Sequence, residues 1–438
     1  MTPREIALSL LNEYELCGKY VNLSLSSHRL DGVSREDRSL ITALLYTAVE
    51  RKLTYDYYAS AISKRGVDKI DLTTLNIIRL GMAQLIDMDR IADHVAVNET
   101  VKLGRNKGER GFVNGVLRAA IRLRDTNTLP LPDRKKSEAR YLSVAYSFPL
   151  TLTRRFIELY GEMTESLLSA FNSHSYTDLT VNTLKITRDE LISLLSEQGI
   201  VAIPSPLSSK SIRIPGSVDP RALSGFSEGY FFVQDASCAA SVDALGIEPG
   251  DSVVDVCACP GGKSFAAAIY ATQTGSVTAF DIHESKLPLV TDGAKRLGLS
   301  NITAEINDAT KPKEELFYSF DRVICDVVCS GLGVIGKKPD LRYRELSSVD
   351  ELPGLQLEIL SASAKYLKVG GTLVYSTCTL NPEENEAVVR RFLSENADLE
   401  PVDFEVGDLS SEGGSLTLLP HIHNTDGFFI AKLKRRSK

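Results

Sequence analysis

The sequence predicts a multidomain protein in which an all-α domain and a small α+β domain precede an α/β doubly wound, Rossmann-like domain. Apolar residues recur at helical spacing through residues 1–124. Strand-like and helical segments are mixed from about residue 178, and apolar strands alternate with helices from residue 251. A chain of 438 residues is long enough for two or three cores. We therefore predict three domains, at residues 1–130, 131–235 and 236–438.

The first region has recognisable helix starts. Thr2 and Glu5 form a capping-box pattern around Pro3, which occupies the first helical position. A polar stretch with two prolines, 125–136, is typical of a linker, and helical patterns resume over 138–172. Three further helical stripes are predicted, at 38–49, 72–86 and 95–103.

The second region predicts a small sheet. A strand over 179–186 leads into a helix opened by Thr187 and Glu190, and short strands follow near 200–204 and 211–214. This βαββ order is typical of RNA-binding modules, although paired aromatic residues that would stack on bases are missing.

The third region predicts a cofactor site at the carboxyl ends of parallel strands, where ligands of such sheets bind. Gly261 and Gly262, in DVCACPGGKS, let a ligand approach the backbone closely and open the next helix. The pattern is neither GxGxxG nor a P-loop, which disfavours NAD and nucleoside triphosphates. Asp281 is placed to accept hydrogen bonds from ribose hydroxyls, and Asp308 to contact adenine. One aspartate alone is equally well a helix cap, but several at successive strand ends favour a nucleoside cofactor.

Two cysteines and a carboxylate also follow strands of this region. Asp326 and Cys329 follow the fourth strand and Cys378 the fifth, with a helix predicted to start at Pro382 behind an Asn381 cap. The sharp strand–loop–helix turn would hold the Cys378 side chain in a cleft, which makes it the candidate nucleophile. One reaction that needs such a thiolate is methylation of cytosine, because carbon 5 of the ring becomes nucleophilic only after a thiolate adds to carbon 6. Asp326 is the candidate acid near ring nitrogen 3, and Cys329 the helper in thiol release. No histidine lies beside either cysteine in the sequence, which disfavours a Cys–His hydrolase.

Bulk properties exclude several classes of protein. No run of about 18 apolar residues indicates a membrane span, and the first residues do not resemble a secretory signal, so we expect a cytoplasmic protein. The cysteine spacing predicts no metal site, and Cys257 and Cys325, inside strands, are predicted to be small buried hydrophobes. With a net charge of −7, phosphate binding needs local basic clusters. The candidates, each with solvated surface charge as the alternative, are Lys337, Lys338, Arg342, Arg344, Arg105, Lys107 and Arg110.

These motifs resemble the RNA 5-cytosine methyltransferases of the Sun/NOL/NOP family, most closely those of RsmB type. The resemblance rests on FVQDAS, DVCACPGGKS, AFDI, the Asp308 turn, KKPDLRY, STCTLNPEEN and DGFFIAKL, which together cover most of 230–438. Residues 95–118 are similar to a NusB-type RNA-binding domain.

The resemblance implies S-adenosyl-L-methionine as cofactor, 16S ribosomal RNA as substrate and no obligate protein partner. It assigns the nucleophile to Cys378 and product release to Cys329. The implied cofactor contacts are Cys257, Ala258, Cys259, Pro260, Gly261, Gly262, Lys263, Asp281, Asp308 and Asp326.

The chain departs from the family pattern at several positions. Val328 stands where the family has proline before the helper cysteine, and Cys259 replaces an alanine. The chain has no tryptophan, and Phe148 and Phe156 stand where the family has aromatic residues, around residues 147–155. Two alternatives stay open: an rRNA-binding assembly factor with an inactive methyltransferase domain, and a cytosine methyltransferase acting on tRNA or DNA. DNA enzymes place the nucleophile in the Pro-Cys loop, which would make Cys329 essential.

Overall fold

The computed structural model describes residues 1–18, 21, 25, 30, 32–173, 176–345 and 350–436. Two compact units make up the chain. One contains Met1–Asn172 and Lys338–Arg344, and the other contains Ser173–Lys337 and Glu345–Lys438. The helical stretch at 138–172 therefore belongs to the first unit, while the division into three domains at residues 130 and 235 stays a prediction.

The regular secondary structure of the first unit's described residues is helical, as predicted. The Thr2–Glu5 capping box is present, and Ser34, Asp71 and Asn106 cap later helices with their side chains. A π-helical turn, Ala83–Asp87, continues the fourth helix. The helices are α1 Pro3–Cys17, α2 Arg35–Glu50, α3 Lys52–Ser63, α4 Leu72–Met82, α5 Asp93–Lys102, α6 Lys107–Asp125, α7 Glu138–Tyr146, α8 Leu150–Tyr160 and α9 Thr164–Asn172.

Arg342, one of the predicted phosphate contacts, is fully buried within the first unit. Its Nη1 donates to the carbonyl oxygens of Glu50, at 3.1 Å, and Ser147, at 3.2 Å. Its guanidinium lies 4.2 Å from the centre of the Phe148 ring. Arg342 lies in a short helical turn, Pro339–Tyr343. Both predictions for it, phosphate contact and solvated surface charge, are wrong, because its side chain is buried in the first unit and does not reach solvent. Phe148 and Phe156 are buried too, which leaves neither ring free to stack on a base.

The small predicted sheet is present in the second unit. Its strands are β1 Tyr176–Val181, β2 Ile203–Pro204, β3 Ser211–Pro215 and β4 Phe231–Val233, in the antiparallel order β2-β3-β1-β4. Helix α10, Arg188–Glu197, starts at the predicted Thr187–Glu190 capping box. The first strand is shorter than predicted, because Asn182 turns the chain by donating to the carbonyl oxygens of Gly229, at 3.0 Å, and Leu297, at 2.9 Å.

Two different environments cover the faces of this small sheet. Apolar residues on one face, including Leu179 and Ile212, form a core with Leu191 of α10. On the other face Arg213 forms a bidentate ion pair with Asp178, at 2.6 and 2.9 Å. The backbone N–H of Ala236 also donates to Asp178. This second face therefore packs against the chain that follows it.

The large sheet of the second unit confirms the predicted doubly wound fold class. Its order is β10-β14-β9-β8-β5-β6-β7, with β13 paired to β14. Strands β5 to β9 are parallel and β14 runs antiparallel to β9. Its strands are β5 Ser252–Asp255, β6 Ser276–Asp281, β7 Ile302–Ile306, β8 Phe320–Asp326, β9 Leu367–Thr377, β10 Leu399–Pro401, β13 Ser415–Leu418 and β14 Phe428–Arg435, with the hairpin β11 Glu405–Val406 and β12 Leu409–Ser410 beside them.

Helices flank this sheet, and a separate apolar cluster fills each face. The helices are α11 Ala236–Leu245, α12 Gly262–Ala271, α13 Leu287–Leu297, α14 Leu352–Ala364, α15 Glu386–Glu395 and α16 Pro420–His423. Strand order reverses between β5 and β8, which makes the carboxyl ends of these two strands the switch point where such sheets bind ligands. Among the described helices, none is both long and apolar enough to span a membrane.

Candidate active site

A cavity of about 390 Å³ lies at the carboxyl ends of the parallel strands. Its volume is within the range of small-molecule sites. Five of the predicted cofactor contacts line it: Cys257, Cys259, Asp281, Asp308 and Asp326. The others do not line the cavity: Ala258, Pro260 and Gly261 lie in the loop after β5, and Gly262 and Lys263 begin α12.

The glycine turn at the cavity begins α12 where the sequence predicts it. Gly261 has φ +114°, and a Cβ atom there would lie 2.5 Å from the Phe265 ring. Only glycine adopts this conformation without strain. Gly262 is the first residue of α12, and a Cβ on it would make only an ordinary contact with Gln234 at 3.5 Å. Of the two glycines, Gly261 is the one that the turn requires.

Two aspartates that line the cavity are fixed by local hydrogen bonds. Asp281 accepts from the backbone N–H of Cys259 at 3.2 Å and from that of His283 at 2.9 Å. Asp308 accepts from the side chain and the backbone N–H of Thr310, and these bonds lower the pKa of its carboxyl. Asp281 keeps a second lone pair on each carboxylate oxygen. Asp308, whose Oδ1 accepts both bonds from Thr310, keeps one on Oδ2 beside Lys311, so both groups can still accept hydrogen bonds from a ligand.

Apolar side chains at the cavity were not predicted as site residues. Ile282 is 58% exposed, Val328 54% and Leu355 37%, and all three line the cavity. Large apolar side chains left open beside a polar pocket provide the surface that an aromatic ring of a ligand covers. Ile282 directly follows Asp281, so the end of β6 offers one polar and one apolar contact in succession.

Asp326 is held between two side chains from other elements. Lys263 Nζ lies 2.7 Å from its Oδ2, and Ser376 Oγ donates to its Oδ1 at 2.7 Å. Burial opposes the positive charge of Lys263, but the attraction of Asp326 outweighs it and raises the pKa of the ammonium above its ordinary value. Lys263, one of the cofactor contacts that the resemblance implies, is therefore a charged partner of Asp326.

The sulfur atoms of Cys329 and Cys378 lie 3.1 Å apart. The loops that carry them are joined further by a hydrogen bond from the backbone N–H of Gly333 to the carbonyl oxygen of Cys378, at 3.0 Å. The hydrogen bond with Cys378 and burial raise the pKa of the Cys329 thiol well above its ordinary value. Two cysteines predicted separately at two strand ends are thus direct neighbours.

The helix after Cys378 begins one turn later than predicted. Residues Asn381–Asn385 form a turn, and α15 starts at Glu386. Glu384 does not occupy a capping position of α15, because its carboxylate points inward and accepts from the backbone N–H of Ser330 at 2.8 Å. Neither Glu384 nor its partner Gln356 was predicted as a site residue. Glu384 has the spacing of a helix-capping residue and Gln356 lies in a helix, and neither pattern indicates a contact between residues distant in sequence.

Lys337 is an exposed side chain that is paired with two carboxylates. It forms ion pairs with Asp235 and Asp426, and the pair with Asp426 measures 2.9 Å. Burial and the nearby Asp235 raise the pKa of Asp426 to about 8. Lys337 therefore joins the FVQDAS and DGFF motifs within the second unit, and its charge is already matched by carboxylates.

Comparison with known proteins identifies similar sequences along most of the chain. Residues 242–434 match the profile described as 16S rRNA methyltransferase RsmB/F, residues 1–122 that of the NusB family, and residues 148–220 that of an RsmF/B-like ferredoxin-like domain. These matches, with the sheet topology, confirm the predicted all-α, α+β and Rossmann-like fold class.

Individual relatives agree with these profiles. A probable ribosomal RNA small subunit methyltransferase B from Synechocystis sp. is 36% identical, covering 99% of this chain and 100% of the relative. A protein of the same name from Bacillus subtilis is 34% identical, covering 99% and 98%. Among solved structures, a methyltransferase homologue from Pyrococcus horikoshii is 28% identical, covers 69% of this chain and 99% of its own, and has a TM-score of 0.61.

Proposed function

The chain belongs to the RsmB/F family of 16S rRNA methyltransferases, and from this premise we propose that it methylates carbon 5 of a cytosine in 16S ribosomal RNA through a covalent adduct of Cys378. The contact of 3.1 Å between the sulfurs of Cys378 and Cys329 carries the proposal. A reaction that first forms and then breaks a sulfur–carbon bond uses one thiol for attack and a neighbouring group for release.

The residues at the cavity fit S-adenosylmethionine. Asp281 has free lone pairs for the ribose hydroxyls, and Ile282 and Leu355 offer apolar surface to the adenine ring. When bound, S-adenosylmethionine supplies the electrophilic methyl group that the activated base accepts.

Cys378 performs the activating step in this proposal. Its thiolate forms a bond to carbon 6 of cytosine, and the ring electrons make carbon 5 nucleophilic. Asp326 acts as the acid near ring nitrogen 3, where negative charge develops, by relaying a proton from the adjacent ammonium of Lys263 to that nitrogen. After methylation the carbon-5 proton is lost to water and the double bond between carbons 5 and 6 re-forms. The thiolate of Cys378 leaves with the help of Cys329, and the proton on nitrogen 3 returns through Asp326 to Lys263.

The proposal extends to the substrate and to the place of action. The relatives are named for the small ribosomal subunit RNA, and the NusB-type match suggests that the first unit contributes RNA binding. Among the predicted basic contacts, Arg342 is withdrawn because it is buried. A ribosomal RNA substrate implies action in the cytoplasm.

Covalent trapping on 16S rRNA transcribed with 5-fluorocytidine tests the assignment of the two cysteines. Wild-type protein with S-adenosylmethionine should form an adduct that resists denaturation, and Cys378→Ala should form none. With ordinary 16S rRNA, Cys329→Ala should accumulate the adduct that the wild type resolves.

Each alternative has its own result in this experiment. Absence of adduct and of methyl transfer from wild-type protein to rRNA would favour the assembly factor. Loss of trapping in Cys329→Ala together with normal trapping in Cys378→Ala would reverse the roles, as in a Pro-Cys nucleophile. Methyl transfer to tRNA in preference to rRNA would indicate a tRNA substrate and would leave the proposed chemistry unchanged.

A further inference from the structure

Glu384 is a fully buried carboxylate in the turn that follows Cys378. Its Oε2 accepts from the backbone N–H of Ser330 at 2.8 Å and from Gln356 Nε2 at 3.0 Å. Its Oε1 accepts from Asn381 Nδ2 at 3.1 Å. These three donors are all neutral. Burying a carboxylate on neutral donors alone costs free energy, so packing does not account for its presence here.

The hydrogen bonds of Glu384 join the two loops that carry the cysteines. Ser330 directly follows Cys329, whereas Glu384 follows Cys378 by six residues. Gln356, which is buried on α14, donates from its Nε2 both to Glu384 and to the carbonyl oxygen of Val328, at 3.0 Å. The residues on both sides of Cys329 are thus fixed by the Glu384–Gln356 pair. Displacing the carboxylate would remove the hydrogen bonds from Ser330 and Gln356 that tie the Cys329 loop to the turn after Cys378.

The charge of Glu384 acts on the sulfur of Cys329. A negative charge beside a thiol disfavours its thiolate. The hydrogen bond with Cys378, burial and, to a smaller extent, the charge of Glu384 all raise the pKa of Cys329. Cys329, in the loop whose backbone binds the carboxylate, therefore favours its protonated form.

We propose that Glu384 is a positioning residue that clamps the loops of Cys329 and Cys378 together and keeps the shared proton on Cys329. Cys329 then donates its S–H to the sulfur of Cys378 in the resting enzyme. The proposal deepens the function proposed above, since it explains why attack belongs to one cysteine and release to the other.

The release step follows from this arrangement. When the Cys378–carbon 6 bond breaks, its electron pair returns to Sγ of Cys378. The electron pair of the carbon 5–hydrogen bond forms the double bond between carbons 5 and 6, and the proton passes to water. The S–H of Cys329 donates a hydrogen bond to the departing thiolate and stabilises it, without being consumed.

Thiol labelling tests the proton location in the absence of RNA. Iodoacetamide reacts with thiolates, and mass spectrometry of the peptides gives the labelling ratio of Cys378 to Cys329. Glu384→Gln removes the charge and keeps an acceptor for Ser330, so the pKa of Cys329 should fall and the ratio should fall with it, by about fivefold or more. Glu383→Gln is the matched control, because Glu383 is the exposed neighbour, and it should label as the wild type does.

Release kinetics test the clamp. In a single turnover on ordinary 16S rRNA, Glu384→Gln should form the adduct within about threefold of the wild-type rate and resolve it about tenfold or more slowly, as expected for a lost charge-assisted contact. The adduct should therefore accumulate on a denaturing gel, and Glu383→Gln should show no accumulation. Binding of S-adenosylmethionine by calorimetry checks that the variant is folded.

The possible outcomes separate this proposal from the function on which it rests. Wild-type labelling and release in Glu384→Gln would overturn the role of Glu384 while leaving trapping by Cys378 intact. If Cys378→Ala still methylated RNA, the proposed function would fail, and the labelling ratio would still report on the proton. If Glu384→Gln does not bind the cofactor, Gln356→Met replaces it as the test, because this variant keeps the charge of Glu384 and removes one hydrogen-bond donor to it. It should keep the labelling ratio and slow release, and normal release would contradict the clamp.

Discussion

The two sides of the switch point in the large sheet are built differently. On the cofactor side, at the ends of β5, β6 and β7, Asp281 and Asp308 are held by N–H groups and hydroxyls from residues nearby in the sheet and turns. On the cysteine side, at the ends of β8 and β9, Asp326 and Glu384 are held by side chains and loops distant in sequence.

This difference predicts how each side responds to substitution. Local backbone contacts persist when one side chain is removed, so a change on the cofactor side should affect binding of the cofactor alone. Long-range side-chain contacts are shared, so a change on the cysteine side should alter several steps of the chemistry together. Four substitutions test this comparison.

Asp326→Asn should have the largest effect of the four. The amide cannot act as the acid, and it leaves the ammonium of Lys263 without its ion partner. We expect the single-turnover rate of methyl transfer to fall about 10²- to 10³-fold, as for loss of an acid or of a transition-state hydrogen bond. The matched variant Ser376→Ala removes only one hydrogen bond to Asp326 and should cost about tenfold or less. Equal rates in the two variants would show that the carboxylate has no role in the chemistry.

Asp281→Ala should act on the cofactor side alone. Loss of hydrogen bonds between a carboxylate and ribose hydroxyls costs about 1.5–3 kcal/mol, so the Kd for S-adenosylmethionine should rise about 10- to 100-fold. Calorimetry measures the Kd, and single turnover at saturating cofactor measures the chemistry, which should stay near the wild-type rate. A large loss of the single-turnover rate at saturating cofactor would contradict the expectation that substitutions on the cofactor side affect cofactor binding alone.

The same distinction explains how much the sequence could predict. Asp281, Asp326, Cys329 and Cys378 follow strands, and a strand pattern is a local property, so the sheet edge on which they lie was predictable. Long-range partners leave no such local pattern. Glu384 has the spacing of a helix-capping residue, and only the folded chain brings it to Ser330. Arg342 was misassigned for the same reason, because nothing in KKPDLRY indicates that its guanidinium is buried.

Gly261→Ala tests the glycine turn of the cofactor side through stability. The alanine Cβ would lie 2.5 Å from the Phe265 ring, at a φ of +114°. Backbone strain and the clash should lower the free energy of unfolding by about 1–3 kcal/mol, measured by urea denaturation without cofactor. The neighbouring Gly262→Ala meets only Gln234 at 3.5 Å and should stay within about 0.5 kcal/mol of wild type. Equal losses of stability in the two variants would show that the positive φ of Gly261 is not what requires a glycine there.

Asp255, at the end of β5 between the two sides, should show the smallest effect, and the effect should depend on pH. Burial raises the pKa of its carboxyl from 3.8 to about 6, and its Oδ1 has no hydrogen-bond partner among the residues that the structure describes. The folded protein therefore binds this proton more tightly than the unfolded chain, and stability falls as pH rises from about 4 through 6.

Asp255→Asn removes that titration and keeps an acceptor for Ser264 Oγ. Relative to wild type, the variant should gain about 1–2 kcal/mol in free energy of unfolding between pH 5 and pH 8, measured by urea denaturation at both values. Asp189→Asn is the control, because its side chain is 87% exposed, and it should show no such gain. A variant whose stability relative to wild type is the same at both pH values would mean that Asp255 is paired as an anion, and the β5 end would then belong with the ion-paired cysteine side.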